Sequence, residues 1–370
     1  MNARLHSLDG LRAIAACLVV AHHMGIASLS MQWRDQGHPF AANLLAGFTG
    51  SGVELFFTLS AIVLTRPYIS GERKLKLGTY ATRRIERLLP PFFAAWLVAG
   101  LVIYASTAFP TWQTVSSGAP AFTLRDWLSQ IGIVYWGPHP FNVTWWSLAV
   151  EVAFYILVPV FIIIFTQLYG RTRRIGALYA STIVAAVLAA AFWSSRPPIL
   201  YSLVAYAPCF CAGLILAAHK LSRAVSMSFV FGGLLWIPFA CAWPWLNVHV
   251  GWSLLYFGVV AIAMNRTSWL CTRLSSYGFV WLGERSYSLF LIHNSMIVLS
   301  YQAASSVLPR GMAYFGVSRS AALVLTAVAT VLVFHLVERR FAHNLSTSDD
   351  MLPRWRLDVE PRAISSAVVR

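Results

Sequence analysis

The sequence is poor in charged residues, and acidic residues are especially scarce. Only 11% of its 370 residues are charged, with 13 Asp and Glu in total, whereas 58% are hydrophobic. A soluble domain contains about 25% charged and about 45–50% apolar residues. The composition therefore excludes a water-soluble globular protein of this length. The chain has room instead for roughly ten membrane crossings of about 20 residues each.

Cysteine motifs are also missing, and we expect no secretory leader. The five Cys residues match neither a disulfide framework nor the spacing of a zinc site, and most of them lie in apolar runs. We interpret them as small buried hydrophobic residues. The first apolar stretch lacks the uninterrupted hydrophobic core of a signal peptide, because it contains Asp9, Arg12, His22 and His23.

Apolar runs separated by charge clusters and by Pro or Gly predict an all-α, polytopic membrane protein with about ten transmembrane helices. The predicted spans lie near residues 8–28, 46–66, 88–109, 146–166, 175–193, 200–217, 228–245, 250–265, 282–301 and 319–337. They form one transmembrane domain over residues 1–345. Residues 346–370 are predicted to be a short, loosely ordered cytoplasmic tail, and we expect no appended soluble domain.

The net charge of +15 is better explained by membrane topology than by nucleic-acid binding. If both termini are cytoplasmic, 23 of the 28 Lys and Arg residues lie on the cytoplasmic side. The five on the outer side are Arg34, Arg125, Arg196, Arg310 and Arg319. Membrane proteins concentrate basic residues on the cytoplasmic side. We therefore predict cytoplasmic N- and C-termini and no nucleic-acid partner.

Polar side chains inside the first span are the clearest functional signal, because a charge within a bilayer is costly and usually faces a cavity. Asp9 lies one turn before Arg12, well placed for a local ion pair. In a regular helix Arg12 and His23 share a stripe, about 20° apart around the axis and about 16 Å apart along it. Such a histidine is either a proton-transfer group or a packing residue that bonds to a neighbouring helix.

The second span and the start of the third span also carry charge. Glu54, in the segment GVELFFTLSA, needs a partner, and Arg12 is a candidate for a structural or a catalytic ion pair. Arg84 and Arg87 project together at i and i+3, a geometry suited to clamping phosphates at the cytoplasmic face. The alternative is that these two arginines are only a topology signal.

The fourth and ninth spans add hydroxyl, carboxylate and imidazole groups. After Trp146, residues Ser147 and Glu151 are i,i+4 neighbours, so a hydroxyl and a carboxylate converge on one helix face. The ninth span contains Tyr287 and His293 in the segment SYSLFLIH. The alternative role of each group is a polar contact between helices. No spacing among the His and Glu residues requires a metal ion, and we expect none.

Taken in chain order, five segments resemble the acyltransferase 3 family of integral-membrane O-acyltransferases. They are DGLR, GVELFFTLSA, RRIERLLP, WSLAVE and SYSLFLIH, and His23 follows the DGLR segment after ten residues. The closing segment VERRF is also similar to the end of the family pattern. The resemblance covers residues 5–341. It implies a ten-helix enzyme of the bacterial cytoplasmic or inner membrane.

Such an enzyme transfers an acyl group, usually acetyl from cytoplasmic acetyl-CoA, to a hydroxyl of a carbohydrate or another acceptor. Surface and exported polysaccharides are the acceptors that the resemblance implies, and polysaccharide-assembly machinery is a candidate partner beside the lipid bilayer. Acetyl is the default acyl group, while succinyl and longer groups stay open. A transporter or flippase for a polar lipid-linked or acylated solute is the alternative, because buried Asp, Arg and His serve proton coupling equally well.

By position, the resemblance implies that His23 is the essential histidine and that Arg84 and Arg87 hold the phosphates of CoA. We expect His23 to take the proton of the acceptor hydroxyl, with Asp9 or Glu151 orienting the imidazole or a neighbouring arginine. Arg12 is expected to line the same cavity and to bind CoA together with Arg84 and Arg87. The other residues expected to line the cavity are Glu54, Trp146, Ser147, Tyr287 and His293.

Three positions depart from the family pattern. Glu54 replaces the usual Asp and keeps its charge, while Ala61 and Phe290 stand where Gly and Tyr are common. The missing hydroxyl argues against a catalytic role for Phe290.

Overall fold

The structure is a computed structural model that describes residues 5–108, 124–129, 142–168, 198–243, 246–309 and 311–341. Within these ranges every regular element is helical and no strand occurs. The helices are α1 (His6–Ala21), α2 (Ala27–Asp35), α3 (Pro39–Gly50), α4 (Gly52–Ile69), α5 (Leu77–Ala108), α6 (Leu124–Ser129), α7 (Trp146–Leu168), α8 (Pro198–Ala218), α9 (Arg223–Ala242), α10 (Val248–Met264), α11 (Trp269–Leu274), α12 (Tyr277–Glu284), α13 (Ser286–Val307) and α14 (Met312–Val333).

Six helical segments of the described chain are long and apolar enough to cross a membrane. They are His6–Asp35, Pro39–Ile69, Leu77–Ala105, Trp146–Ile163, Arg223–Ala242 and Met312–Phe341. Two shorter apolar helices, Ala205–Ala218 and Val248–Met264, accompany them. Nine of the ten predicted spans overlap these helices or α13, whereas the span near 175–193 and the tail over 346–370 lie outside the described residues.

The first span is not the regular helix that the sequence predicts. A π-helical turn over His22–Ile26 follows α1, and Gly25 within it has φ 119°, a conformation that glycine adopts without the steric cost of a Cβ. The helix then continues as α2 to Asp35. Because a π turn changes the angular spacing of side chains, the regular-helix projection does not extend through this segment.

The second predicted span also contains a break, at Ser51 between α3 and α4. Immediately after it, Gly52 allows α4 to approach α1 closely. A Cβ on Gly52 would collide with the carbonyl oxygen of Ala15. This close approach brings the cavity-facing side of α4 next to the helix that carries Arg12 and His23.

Two apolar clusters hold the helices around α4. On one side, α4 packs against α1, α8 and α10 through buried residues that include Leu11, Leu55 and Leu59. On the other side, α5, α7 and α13 meet around Phe92 and Trp145, which are fully buried. Burial of such side chains contributes about 1.5–3 kcal/mol each. Leu88, Leu148 and Phe290 of the second cluster border a cavity.

Candidate active site

The cavity is lined by residues of α1, α4, α5, α7 and the start of α13, and its empty volume of about 610 Å³ includes space open to solvent. Six of the eleven residues predicted to form the site line it: Arg12, Arg84, Arg87, Ser147, Glu151 and Tyr287. These residues come from helices far apart in sequence. A smaller cavity of about 250 Å³ shares the three arginines and Glu151.

The arginine end of the cavity combines guanidinium groups with aromatic rings. The Arg84 guanidinium carbon lies 5.7 Å from the centroid of the Tyr80 ring and 5.9 Å from that of Tyr155. Its buried Nε has no hydrogen-bond partner among the described residues. Arg12 and Arg87 line the same space. Guanidinium donors in this arrangement suit an anion with several oxygens, such as a phosphate.

Glu151 is fixed by two hydroxyl groups from neighbouring residues. Ser60 donates to its Oε1 at 2.9 Å and Tyr155 donates to the same oxygen at 2.5 Å. The Tyr80 hydroxyl in turn donates to the Tyr155 carbonyl at 2.9 Å. Ser147 also faces the cavity, but its hydroxyl donates to the carbonyl of Thr144 at 3.4 Å.

The sequence patterns do not identify Ser60, Tyr80 and Tyr155 as residues of the site. Tyr155 lies at i+4 from Glu151, the same spacing that singled out Ser147. That signal could have identified it. Ser60 and Tyr80 belong to other helices, so their contacts depend on tertiary structure.

A pair of histidines lies beyond the cavity in the direction of the break at Gly25. The rings of His23 and His293 have centroids 5.2 Å apart, and His293 is fully buried. His23 Nδ1 lies 2.8 Å from the carbonyl oxygen of Val19. Because a carbonyl oxygen only accepts, this contact assigns the hydrogen to Nδ1 and leaves the lone pair on Nε2. His23 therefore has the tautomer in which Nε2 can accept a proton.

Two phenylalanine rings separate the histidines from the cavity. Phe56 and Phe290 both line the cavity, and their centroids are 6.1 Å apart in an edge-to-face arrangement. The Phe290 ring is 6.0 Å from that of His293. Among the described residues that line the cavity, neither His23 nor His293 occurs. The structure thus brings the two predicted histidines together, but on the far side of an aromatic pair.

The predicted contact between Glu54 and Arg12 is wrong. Glu54 is 3% exposed and its Oε1 lies 2.6 Å from Nδ1 of His249 on α10. Ser60, which faces the cavity, is six positions further along α4. At about 100° per residue these two side chains point about 120° apart. Glu54 is therefore directed away from the cavity.

Trp146 and Asp9 also lie outside the cavity lining. The Trp146 ring packs against Tyr206 at 5.6 Å, and Tyr206 lies over His249 at 4.4 Å. Asp9 is buried near the start of α1, with its Oδ2 3.9 Å from Nδ1 of His6. Tyr287, by contrast, faces the cavity and donates to the Leu88 carbonyl at 2.9 Å.

No group of three or more His, Cys, Asp or Glu side chains could hold a metal ion within the described part of the chain. The described residues of the site offer guanidinium, hydroxyl and carboxylate groups in the cavity, and two imidazoles lie beyond the aromatic pair.

Comparison with known proteins identifies the family of this chain. The model of the acyltransferase 3 family, described as "Acyltransferase domain", matches residues 5–338. A Staphylococcus aureus (strain COL) protein provisionally assigned as an O-acetyltransferase is 24% identical over 98% of this chain and 60% of its own length. The "Peptidoglycan O-acetyltransferase OatA" of Listeria monocytogenes is 25% identical over 80% of this chain and 49% of its own length.

A Bacillus subtilis protein, YrhL, provisionally assigned as a peptidoglycan O-acetyltransferase, is 25% identical over 79% of this chain and 48% of its own length. No solved structure gives a significant match. The chain thus spans about half to three fifths of the length of these relatives. The family match covers nearly the whole chain, and six segments of the described chain are long and apolar enough to cross a bilayer. The protein is a multi-pass integral membrane protein that belongs to the acyltransferase 3 family.

Proposed function

We propose that the protein is a membrane O-acyltransferase that moves an acetyl group from cytoplasmic acetyl-CoA to a hydroxyl of a cell-envelope carbohydrate. The observation that carries the proposal is the arrangement of Arg12, Arg84 and Arg87 in one cavity whose far end adjoins the His23–His293 pair. An anion site and a proton acceptor are the two groups that transfer from a phosphorylated thioester to an alcohol requires.

The donor binds through its phosphates at the arginine end. Guanidinium groups make charge-assisted, often bidentate hydrogen bonds to phosphate. Glu151 supplies one negative charge among the three arginines, so a polyanion still gains a net electrostatic attraction there. The pantetheine arm then extends along the cavity towards Phe56 and Phe290, and the nucleotide stays at the cytoplasmic mouth.

The chemical step uses His23 as the base. Nε2 accepts the proton of the acceptor hydroxyl as its oxygen attacks the thioester carbonyl carbon. The new C–O bond replaces the C–S bond, and the departing thiolate takes the proton from the imidazolium to give CoA with a free thiol. The step requires the rings of Phe56 and Phe290 to move apart, because they stand between the cavity and His23.

The acceptor is inferred from the relatives, two of which are named for O-acetylation of peptidoglycan. A carbohydrate of the bacterial envelope, such as peptidoglycan or an exported polysaccharide, offers the hydroxyl. The predicted topology places the donor site at the cytoplasmic face and the acceptor on the outer side, with polysaccharide-assembly machinery as a candidate partner in the same membrane.

The proposal is tested by supplying membranes that contain the protein with acetyl-CoA labelled in the acetyl group. We expect the label to appear as alkali-labile esters in the carbohydrate fraction, with one free CoA thiol for each ester. Mass spectrometry of envelope glycans from cells with and without the protein should show the matching loss of acetyl groups. Movement of an unmodified solute across the membrane, without ester or free CoA, would instead establish a transporter or flippase.

A further inference from the structure

Arg319 is a charged residue inside an apolar segment that is long enough to cross a membrane. It lies on α14 in the segment Met312–Phe341, seven residues after the first, which is about 10 Å along the helix. The residue is exposed on the surface of the structure. Because a charge within a membrane span is costly and usually marks a function, we expect a ligand or a partner for Arg319.

No carboxylate of the described chain neutralises Arg319. The ion pairs among the described residues lie elsewhere, at Asp9 and at Glu54. The guanidinium carbon of Arg319 lies 5.6 Å from the centroid of the Phe315 ring, one turn earlier on α14. A contact through the face of the guanidinium leaves the N–H donors at its edge free to bind an anion. An oxyanion can therefore bind there without displacing a carboxylate of the described chain.

The Arg319 guanidinium lies against the π turn that carries His23. A Cβ built on Gly25 would lie 2.5 Å from Nη2, 3.2 Å from Cζ and 3.3 Å from Nε of Arg319. Because Gly25 has no Cβ, the guanidinium approaches the backbone of the turn directly. Consecutive Cα atoms are about 3.8 Å apart, so the guanidinium carbon lies within about 12 Å of the Cα of His23. A single oligosaccharide can span this distance.

Arg319 and the arginines of the cavity lie towards opposite ends of the first span. Arg12 lines the cavity near the start of α1, whereas Gly25 follows Ala21, the last residue of that helix. The helix between Arg12 and Ala21 is about 13 Å long. His23 therefore lies between two cationic sites along the span. An acceptor that reaches His23 from the side of Gly25 meets Arg319 and not the arginines of the cavity.

We propose that Arg319 binds an anionic group of the acceptor, a carboxylate or a phosphate, while a hydroxyl of the same carbohydrate lies at Nε2 of His23. The inference rests on the proposed function, since it takes His23 as the base and a carbohydrate as the acceptor. A guanidinium binds either oxyanion through two parallel N–H bonds. Arg319 thereby selects acidic carbohydrates over neutral ones and fixes which hydroxyl reaches the base.

The test compares acceptors that differ in charge. Envelope glycan from cells that lack the protein is used untreated, with its carboxyl groups reduced to alcohols, or with its phosphate groups removed by hydrofluoric acid. Full-length protein in detergent receives labelled acetyl-CoA at a saturating concentration, and ester formation is measured against glycan concentration. We expect one of the two treatments to lower the kcat/KM of wild-type protein at least about 10-fold, because a charge-assisted contact is lost.

Two variants separate the charge of Arg319 from its forked shape. Arg319→Gln should lower kcat/KM for untreated glycan by a similar factor, about 10-fold or more, and should no longer distinguish treated from untreated glycan. Arg319→Lys keeps the charge but loses the bidentate contact, so it should give an intermediate value. Binding of acetyl-CoA should be unchanged in both variants, because Arg319 is not among the described residues that line the cavity.

Arg34→Gln is the matched control. Arg34 lies on α2 beyond the π turn, is also exposed, and donates through Nη2 to Oδ1 of Asn43. Its replacement removes one exposed positive charge from the same end of the first span. Since a single surface charge contributes little, kcat/KM should change by only a few-fold and the preference for untreated glycan should remain.

Three results would overturn the inference. If wild-type protein esterifies all forms of the glycan equally, it recognises no anion on the acceptor, while the proposed function stands. If Arg319→Gln lowers transfer to every form by the same factor, Arg319 acts on the π turn or binds a lipid headgroup instead of the acceptor. If wild-type protein esterifies no form of the glycan, the proposed function fails and this inference fails with it.

Discussion

His293 Nε2 lies 3.5 Å from His23 Nδ1, although the two residues are 270 positions apart in the chain. His293 Nδ1 lies 2.8 Å from the carbonyl oxygen of Phe290, so its hydrogen is on Nδ1 and its Nε2 carries a lone pair. His293 thus faces the N–H side of His23 and supports the tautomer that leaves His23 Nε2 as the base. A histidine near the end of the chain orients one near its beginning.

Replacing arginines that line the cavity with alanine should reduce the affinity for the acyl donor. Arg84→Ala and Arg87→Ala should each raise the Kd for acetyl-CoA about 10-fold or more, which corresponds to about 1.4 kcal/mol, because a charge-assisted contact to phosphate is lost. Arg84→Lys should restore the affinity only in part, since an ammonium cannot make the bidentate contact.

The matched control for this prediction is Arg83→Ala, which removes a neighbouring positive charge that does not line the cavity. Displacement of labelled acetyl-CoA provides the measurement. If Arg83→Ala and Arg84→Ala weaken acetyl-CoA binding equally, this region acts only through its overall positive charge.

The buried pair of Glu54 and His249 predicts an effect on stability rather than on donor binding. His249→Ala leaves a carboxylate that is 3% exposed without its 2.6 Å partner. Breaking a buried pair costs about 3–5 kcal/mol, whereas removal of both partners costs less. Thermal unfolding in detergent should therefore show His249→Ala to be less stable than the double variant Glu54→Leu/His249→Leu. A double variant that is the less stable of the two would contradict the pairing.

Gly25 predicts an effect on His22 and His23, which precede it in the same π-helical turn. Its φ of 119° is unfavourable for alanine, and a Cβ there would lie 2.5 Å from Nη2 of Arg319. Gly25→Ala should destabilise the protein by about 1–3 kcal/mol and reduce acyl transfer more than donor binding. Gly37→Ala is the control, because its φ is 87° and nothing lies within 4 Å of the added carbon.

A Gly25→Ala variant with wild-type transfer would show that the π turn does not position His23. Transfer and binding are measured on the same membranes, so that a lower amount of folded protein changes both equally.

The helical class and the residues of the arginine end were predictable because hydropathy and i,i+3 or i,i+4 spacing are local properties. Arg84, Arg87 and Glu151 each carry such a local signal and they line one cavity. The partner of Glu54 was not predictable, because the rotation of α4 relative to α10 decides it. The break at Gly25 and the aromatic pair of Phe56 and Phe290 likewise depend on how distant helices pack.

The role of His23 as the base is tested most directly by the rate of acetyl transfer by His23→Ala, compared with that by His22→Ala. His22 is the adjacent residue and bonds to Thr49 through its Nδ1 at 2.9 Å, so it controls for loss of an imidazole at the same depth. Membranes matched for protein amount receive labelled acetyl-CoA, and ester formation in the carbohydrate fraction is counted. If His23 is the base, His23→Ala should lower the rate of acetyl transfer about 10²–10⁴-fold, whereas His22→Ala should change it only a few-fold. Unchanged labelling by His23→Ala would contradict this role.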